Sequence, residues 1–176
     1  YYLYIINLKN TSYAITAEVI IPSQHCQGVI ACQGGNMGGW SLYVDQAGLA
    51  SFVYNWFGHE FTLLQDTSAL LPGSCKLEVI YRHGGDFGGG GEAVLQVNGQ
   101  EVHQNVIPRT VPVIFSMSGE TFDVGVDTGS PVGHYPHTFS FNGEIQAVTL
   151  KRLTEPSEAV KKAERKGHFQ ASLSSQ

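Results

Sequence analysis

The sequence predicts an all-β fold, either a β-sandwich or a β-barrel, followed by a short C-terminal helix. The first observation is a hydrophobic period of two, because alternate residues from 13 to 21 are apolar and the positions between them include the polar residues Thr16 and Glu18. The second is that turn residues separate about a dozen such short segments, a spacing typical of sandwiches and barrels. The third is that only the tail follows a helical pattern. These patterns argue against alternating β and α units.

The predicted strands follow one another with short turns between them. Two Asn-Gly pairs, Asn98-Gly99 and Asn142-Gly143, predict tight hairpin turns, because both residue types tolerate positive φ. The predicted strands span residues 13–21, 28–32, 40–44, 49–57, 60–64, 76–82, 93–97, 101–106, 113–116, 122–126, 137–141 and 144–150.

The C-terminal tail differs from the body in charge and in pattern. Residues 1–150 carry 4 basic and 12 acidic side chains, whereas residues 151–176 carry 6 basic and 3 acidic ones. Within residues 154–176, Glu155 and Glu158 come before Lys161, Lys162, Arg165 and Lys166, the order that the helix dipole favours. We therefore predict a β-sandwich domain over residues 1–153 and a helical or flexible tail over residues 154–176.

Composition excludes several classes of partner. The acidic body would repel the phosphates of a nucleic acid. No apolar run reaches the roughly 18 residues of a membrane span.

The opening residues resemble a strand whose upstream neighbour is missing, so we expect a fragment or a detached domain. The compartment stays open between cytoplasm and periplasm.

The three cysteines are an odd number, so they do not imply a complete set of disulfides. We predict that Cys26, Cys32 and Cys75 are buried thiols, because Cys26 and Cys32 flank an apolar stretch. One disulfide with a free thiol is the alternative in an oxidising compartment. Cys26 and Cys32 have no second close pair, so their spacing does not indicate a zinc site.

Five blocks of the sequence, among them Gln33-Gly34-Gly35 and Asp127-Thr128-Gly129-Ser130-Pro131, occur in an order that resembles the C-terminal region of large bacterial arylsulfatases. The resemblance implies a two-sheet antiparallel β-sandwich of the concanavalin A-like, jelly-roll type. It also implies a noncatalytic accessory domain that packs on a separate sulfatase catalytic domain, in cis or in trans. The blocks span residues 10–19, 33–44, 54–58, 108–112 and 120–132.

The catalytic motif of sulfatases is missing from this chain. Sulfatases convert the Cys or Ser of a Cys/Ser-x-Pro-x-Arg motif to formylglycine, and no Cys or Ser here stands in that motif. We therefore expect no sulfate-ester hydrolysis from the chain itself. Its predicted contacts with the catalytic domain are Asp86 in the glycine-rich segment 84–91, Arg109 and Ser130. That segment lacks the Lys-Ser/Thr of a phosphate loop, so we interpret it as a connection between strands.

A calcium site is one hypothesis for the segment 123–131. Asp123 and Asp127 stand among glycines, and carboxylate and carbonyl oxygens are the ligands that Ca²⁺ prefers. The alternative is a plain turn in which Asp and Thr side chains bond nearby backbone N–H groups. Nearby, His134 and His137 could bind a transition metal or lie in an ordinary surface loop.

A glycan site is a second hypothesis, because aromatic rings stack on sugar rings. The candidates are Tyr43, Tyr54 and Trp56, with Tyr43 expected to be exposed and Trp40 to lie in the core. Three functions therefore stay open. The first is the accessory domain, and the second is a carbohydrate-binding, lectin-like module, with or without Ca²⁺. The third is a sandwich-class enzyme, which would need paired acidic residues or a Tyr/His pair facing a groove.

Overall fold

A computed structural model describes residues 6–115, 122–155, 158–163 and 165. Over these residues the protein is an all-β sandwich of ten strands with one short helix, as predicted. The strands are β1 Tyr13–Ile21, β2 Gly28–Gly35, β3 Gly38–Val44, β4 Leu49–Trp56, β5 Glu60–Ala69, β6 Gly73–His83, β7 Gly89–Val97, β8 Gln100–Arg109, β9 Phe122–Val124 and β10 Glu144–Arg152.

The strands form two five-stranded antiparallel sheets. Sheet A has the order β10-β1-β6-β7-β8, and sheet B has the order β5-β4-β3-β2-β9. Neighbouring strands in sheet B are mostly joined by short turns, whereas β1 lies between β10 and β6, both distant in sequence. Such non-local pairing is typical of the jelly-roll class.

The main core lies between the two sheets. Alternate residues of each strand point into it, since successive side chains of a strand face opposite sides of the sheet. Trp40 is 1% exposed and lies in this core, as predicted. Fully buried apolar side chains of both sheets fill it, among them Ile15, Leu42, Phe52, Leu64, Leu77 and Leu95.

A second apolar cluster lies on the outer face of sheet B. There Val29, Tyr43 and Val53 from the sheet pack against Val132 and Phe139. Val132 and Phe139 belong to residues 127–141, which we call the covering loop. This loop excludes water from one face of a sheet that the period-two pattern alone would leave half exposed.

The cysteine prediction is confirmed, since Cys26, Cys32 and Cys75 are all buried and free. Burial, with a smaller effect of Cys75, raises the pKa of Cys26 to about 11. A protonated thiol of this kind is a weak nucleophile at neutral pH.

One of the two predicted hairpin turns is confirmed. Asn98 has φ 51° and Gly99 has φ 79°, and the pair connects β7 directly to β8. The Asn142-Gly143 hairpin is wrong, because residues 137–141 do not form a strand. Asn142 instead binds a distant segment: its Nδ2 donates to His25 O at 2.6 Å and its Oδ1 accepts from Gln27 N at 2.9 Å. These bonds hold the end of the covering loop.

Two other predicted elements need correction, and the predicted tail is only partly described. Residues 113–115 are not in a strand, and residue 116 is not described. The glycine-rich segment is a connection only from 84 to 88, because Gly89–Val97 is β7. The predicted tail begins just after β10 ends at Arg152, and residues 158–163 are helical with Val160 buried. Within the described residues, no helix has the length and apolar character of a membrane span.

Candidate functional site

An open groove lies between the outer face of sheet B and the covering loop. Its volume is about 330 Å³. Strands β3, β4 and β5 form its floor, and residues 134–139 of the covering loop form one wall. The lining side chains belong to Tyr43, Asp45, Gln46, Val53, Phe61, Leu63, Gln65, His134, Tyr135, Pro136 and Phe139.

The covering loop is held by hydrogen bonds within itself and by hydrogen bonds to sheet B. Near its start, the Oδ2 atom of Asp127 accepts from Val132 N at 3.1 Å and from the Tyr135 hydroxyl at 2.7 Å. In the middle, Val132 O accepts from Asn55 Nδ2 at 3.0 Å. Near its end, Phe139 O accepts from Val29 N at 2.8 Å. The groove wall is therefore held by bonds to β2 and β4, a preorganised arrangement that suits binding.

Aromatic rings form the apolar part of the groove. The rings of Tyr43 and Tyr135 have centroids 5.0 Å apart, and those of Tyr135 and Phe139 are 5.9 Å apart. At the rim, the Phe61 ring lies 4.3 Å from the imidazole of His134. At these separations the rings are in contact, so each ring restricts the orientation of the next one.

The polar end of the groove consists of the Asp45 carboxylate and the Gln65 side-chain amide, which hydrogen bonds hold in place. Asp45 Oδ1 accepts from Ala47 N and Leu49 N, each at 2.8 Å, as it caps the β3–β4 turn. Its Oδ2 accepts from Gln65 Nε2 at 3.0 Å. Among the described residues that line the groove, none is Arg or Lys. A ligand would therefore meet one fixed carboxylate, the imidazole of His134 at the rim, and no Arg or Lys among these residues.

The two tyrosines of the groove are neutral hydroxyl groups at ordinary pH. Burial is the main cause that raises the pKa of Tyr43, and the charge of Asp45 adds to it. Burial also raises the pKa of Tyr135 strongly, and its hydrogen bond to the Asp127 carboxylate favours the protonated form further.

Of the three predicted glycan-binding residues, only Tyr43 lines the groove. The expectation that Tyr43 is exposed is wrong: it is 7% exposed because the covering loop packs on it. Tyr54 is 3% exposed and lies in the inter-sheet core, where its hydroxyl accepts from Val111 N at 2.9 Å. Trp56 is half-buried, with the guanidinium of Arg109 4.0 Å above its ring. The three residues are therefore not one site.

Sequence reasoning did not assign Phe61 and Tyr135 to a site. Phe61 lies in the predicted strand 60–64, and its position next to β4 depends on the register Asn55–Phe61. Tyr135 stands between His134 and Pro136, a segment that the sequence marks only by its histidines. Both histidines of the predicted metal pair, His134 and His137, are exposed. The sequence signal that could have indicated this part of the groove is the density of aromatic rings and turn residues in 134–139.

The three residues predicted to contact a catalytic domain each interact with a different part of the structure. Asp86 is exposed in the turn between β6 and β7, where its carbonyl accepts from Gly89 N at 2.9 Å. Arg109 pairs with Glu60 at 2.8 Å. Ser130 Oγ accepts from Asn36 N at 3.0 Å, which joins the covering loop to the β2–β3 turn. Their role in docking a catalytic domain stays a prediction.

Asp123 and Asp127 lie close together, and Cys32 joins them. Asp123 Oδ2 accepts from Thr128 N at 2.9 Å and from Thr128 Oγ1 at 2.7 Å, the Asp-Thr turn that the alternative interpretation predicts. One potential ligand atom from each of Cys32, Asp123 and Asp127 lies within 4.8 Å of the others. Among the described residues this is the one such group of three.

The fold is similar to lectin-like domains of very different sequence. A Ruminococcus gnavus IT-sialidase carbohydrate-binding module, CBM40, bound to α2,3-sialyllactose, has a TM-score of 0.55 at 14% identity, over 88% of this chain and 83% of that chain. Mouse laminin α1 domains LG4-5 have a TM-score of 0.59 at 14% identity, over 88% of this chain and 41% of that chain.

A leech intramolecular trans-sialidase has a TM-score of 0.55 at 12% identity, over 89% of this chain and 23% of that chain. This chain thus spans less than half of the laminin and leech chains. No family model and no curated protein matches it. At such identities the likeness concerns the jelly-roll fold itself, and function has to be argued from the site.

Proposed function

We propose that this domain is a carbohydrate-binding module that holds a neutral sugar in the groove between sheet B and the covering loop. The observation that carries the proposal is a preorganised groove with an aromatic floor and one fixed polar end. The fold supports it, since a similar domain, CBM40, has been seen with sialyllactose. A mostly apolar cleft with a few placed polar groups is the common form of a small-ligand site.

The chemistry of the groove suits a sugar ring. One face of many pyranoses is rich in C–H groups, which can pack on the rings of Phe61 and Tyr135, while the edge hydroxyls need hydrogen-bond partners. Asp45 and Gln65 supply carboxylate and amide oxygens at the polar end. The volume of about 330 Å³ is near the lower limit for ligand pockets, which suits a mono- or disaccharide end.

The charge of the groove favours neutral over acidic sugars. An acidic sugar carries a carboxylate or sulfate, and proteins usually bind such groups with Arg or Lys. The described groove residues include neither, and Asp45 would repel an anion at the polar end. The preferred ligand of this domain should therefore differ from the sialyllactose of CBM40.

Removing the Phe61 ring should weaken binding of a neutral glycan about 10- to 100-fold, because burying a Phe side chain contributes about 1.5–3 kcal/mol. The test is a glycan array followed by calorimetric titration of the best neutral ligand with Phe61→Ala. Phe87→Ala is the matched control, because Phe87 is an exposed phenylalanine outside the groove. It should bind like the unchanged protein.

Two outcomes would count against the proposal. If no neutral glycan binds, the groove is not a sugar site of this kind. If Phe61→Ala and Phe87→Ala bind equally well, the sugar lies elsewhere. Binding of acidic glycans alone would contradict the preference argued from charge.

The other two functions receive less support. The similar structures named above are not sulfatases, so the accessory-domain role stays a prediction, with the upstream gene sequence as its test. For the enzyme hypothesis, Tyr135 and His134 do line the groove, but the Tyr135 hydroxyl donates to Asp127 and its pKa is raised. It is therefore a poor base, which favours binding over catalysis.

A further inference from the structure

A thiol and two carboxylates meet below the covering loop. Cys32 of β2 is the direct partner of Asp123 in β9, so their side chains lie on the same face of sheet B. Gly125 follows with φ 85°, which turns the chain so that Asp127 comes back toward the same point. The three potential ligand atoms lie within 4.8 Å of one another.

The Asp127 carboxyl carries a buried oxygen without an N–H or O–H partner. Asp127 is 2% exposed, and its Oδ2 already accepts two hydrogen bonds, from Val132 N and the Tyr135 hydroxyl. Its Oδ1 is buried and accepts no hydrogen bond from an N–H or O–H group, although the Cys32 thiol lies close enough to hydrogen-bond to this carboxylate. An unpaired buried charge is strongly unfavourable, and buried carboxylates in proteins are usually paired or bound to a metal. A cation at this position would satisfy Oδ1.

We propose that Cys32, Asp123 and Asp127 bind a thiophilic divalent cation, with Zn²⁺ as the best fit. Zn²⁺ takes Cys sulfur and carboxylate oxygen together and is usually four-coordinate, so three protein ligands leave one position for water. Ca²⁺ prefers six to eight oxygen ligands, and a thiolate sulfur in the ligand set does not suit it. The thiol of Cys32 gives up its proton as the metal binds.

The site is non-local, which explains why cysteine spacing does not indicate it. Its ligands come from β2, from β9 and from the start of the covering loop. A bound cation would therefore join the edge of sheet B to the loop that forms the groove wall. Binding to the folded state alone should raise the melting temperature of the domain.

The test uses the unchanged full chain, stripped of metal, with Co²⁺ as a spectroscopic probe and Zn²⁺ as a competitor. We expect a thiolate-to-cobalt charge-transfer absorption that Zn²⁺ abolishes, and a higher melting temperature with Zn²⁺ than with Ca²⁺. Cys32→Ser should lose the absorption, whereas Cys26→Ser should keep it, because Cys26 is a buried thiol outside the group.

A second variant keeps the test independent of the folding of Cys32→Ser. Asp123→Asn should weaken Co²⁺ binding about 100-fold or more, since even substitutions behind the ligands cost about 10- to 100-fold. The proposal is overturned if the unchanged chain binds neither Co²⁺ nor Zn²⁺, or if Cys32→Ser keeps the charge-transfer absorption. Unchanged Co²⁺ affinity in Asp123→Asn would overturn the assignment of that ligand.

Discussion

Asn55→Ala should destabilise this domain by about 3–5 kcal/mol, because one buried amide serves four backbone groups. Asn55 is fully buried in β4, and its Nδ2 donates to Gly35 O, Asn36 O and Val132 O at 3.0–3.1 Å. Its Oδ1 accepts from Gly58 N at 2.7 Å. Each buried group left without a partner costs about 1–3 kcal/mol.

The measurement is urea unfolding, in which the midpoint should fall while the slope stays the same. The matched control is Asn105→Ala, because Asn105 is exposed and donates one 3.2 Å bond, to Leu63 O. We expect a loss below about 1 kcal/mol for that control. Equal losses of unfolding free energy in the two variants would show that the Asn55 side chain is not what connects the β2–β3 turn, the β4–β5 turn and the covering loop.

Gly28→Ala should also be strongly destabilising, and it should act on the covering loop. Gly28 has φ 117°, and a Cβ there would overlap the backbone of Ser140 and Phe141. Ser140 forms a parallel bridge with Val29, so relief of the overlap would push the loop away from β2. We expect a loss of several kcal/mol, from about 1–3 kcal/mol of backbone strain plus the lost loop contacts.

Gly73→Ala separates these two contributions. Gly73 has φ 113°, nearly the same backbone conformation, but a Cβ there has no atom within 4 Å. This control should therefore show the backbone strain alone. Thermal unfolding and the glycan titration should be measured together, since Gly28→Ala should also displace Phe139 from the groove. If both variants melt alike, the close approach of the loop to β2 is not what requires glycine at position 28.

The prediction from sequence succeeded where the structure is local. The period-two pattern from Tyr13 to Ile21 coincides with β1, and Asn98-Gly99 forms the predicted turn, because alternation and positive φ are properties of neighbouring residues. The same reasoning failed for Asn142-Gly143. That pair has the same local preference, but its side-chain bonds to residues 25–27 outweigh it.

The candidate site could be predicted only in part. The sequence marks Tyr43 as an aromatic residue in a strand, and Asp123 and Asp127 as two carboxylates among glycines. Their use depends on neighbours that are far away in the chain, such as Phe61 and Tyr135 beside Tyr43, and Cys32 beside the carboxylates. No spacing rule connects residues that a sheet register and a long loop bring together.

The sequence by itself determined that the chain is all-β, that it forms a sandwich or barrel, that its cysteines are buried and that Trp40 lies in the core. Those properties follow from short-range periodicity and from the transfer of apolar side chains out of water. Only the tertiary structure decided how the outer face of sheet B is covered. The covering loop packs on part of that face and leaves a groove beside it. The physical reason is that both the groove and the thiol-carboxylate group depend on long-range contacts. The covering loop packs on Tyr43 and Val53 and so forms the groove, while the β2–β9 register and the start of the loop bring Cys32, Asp123 and Asp127 together.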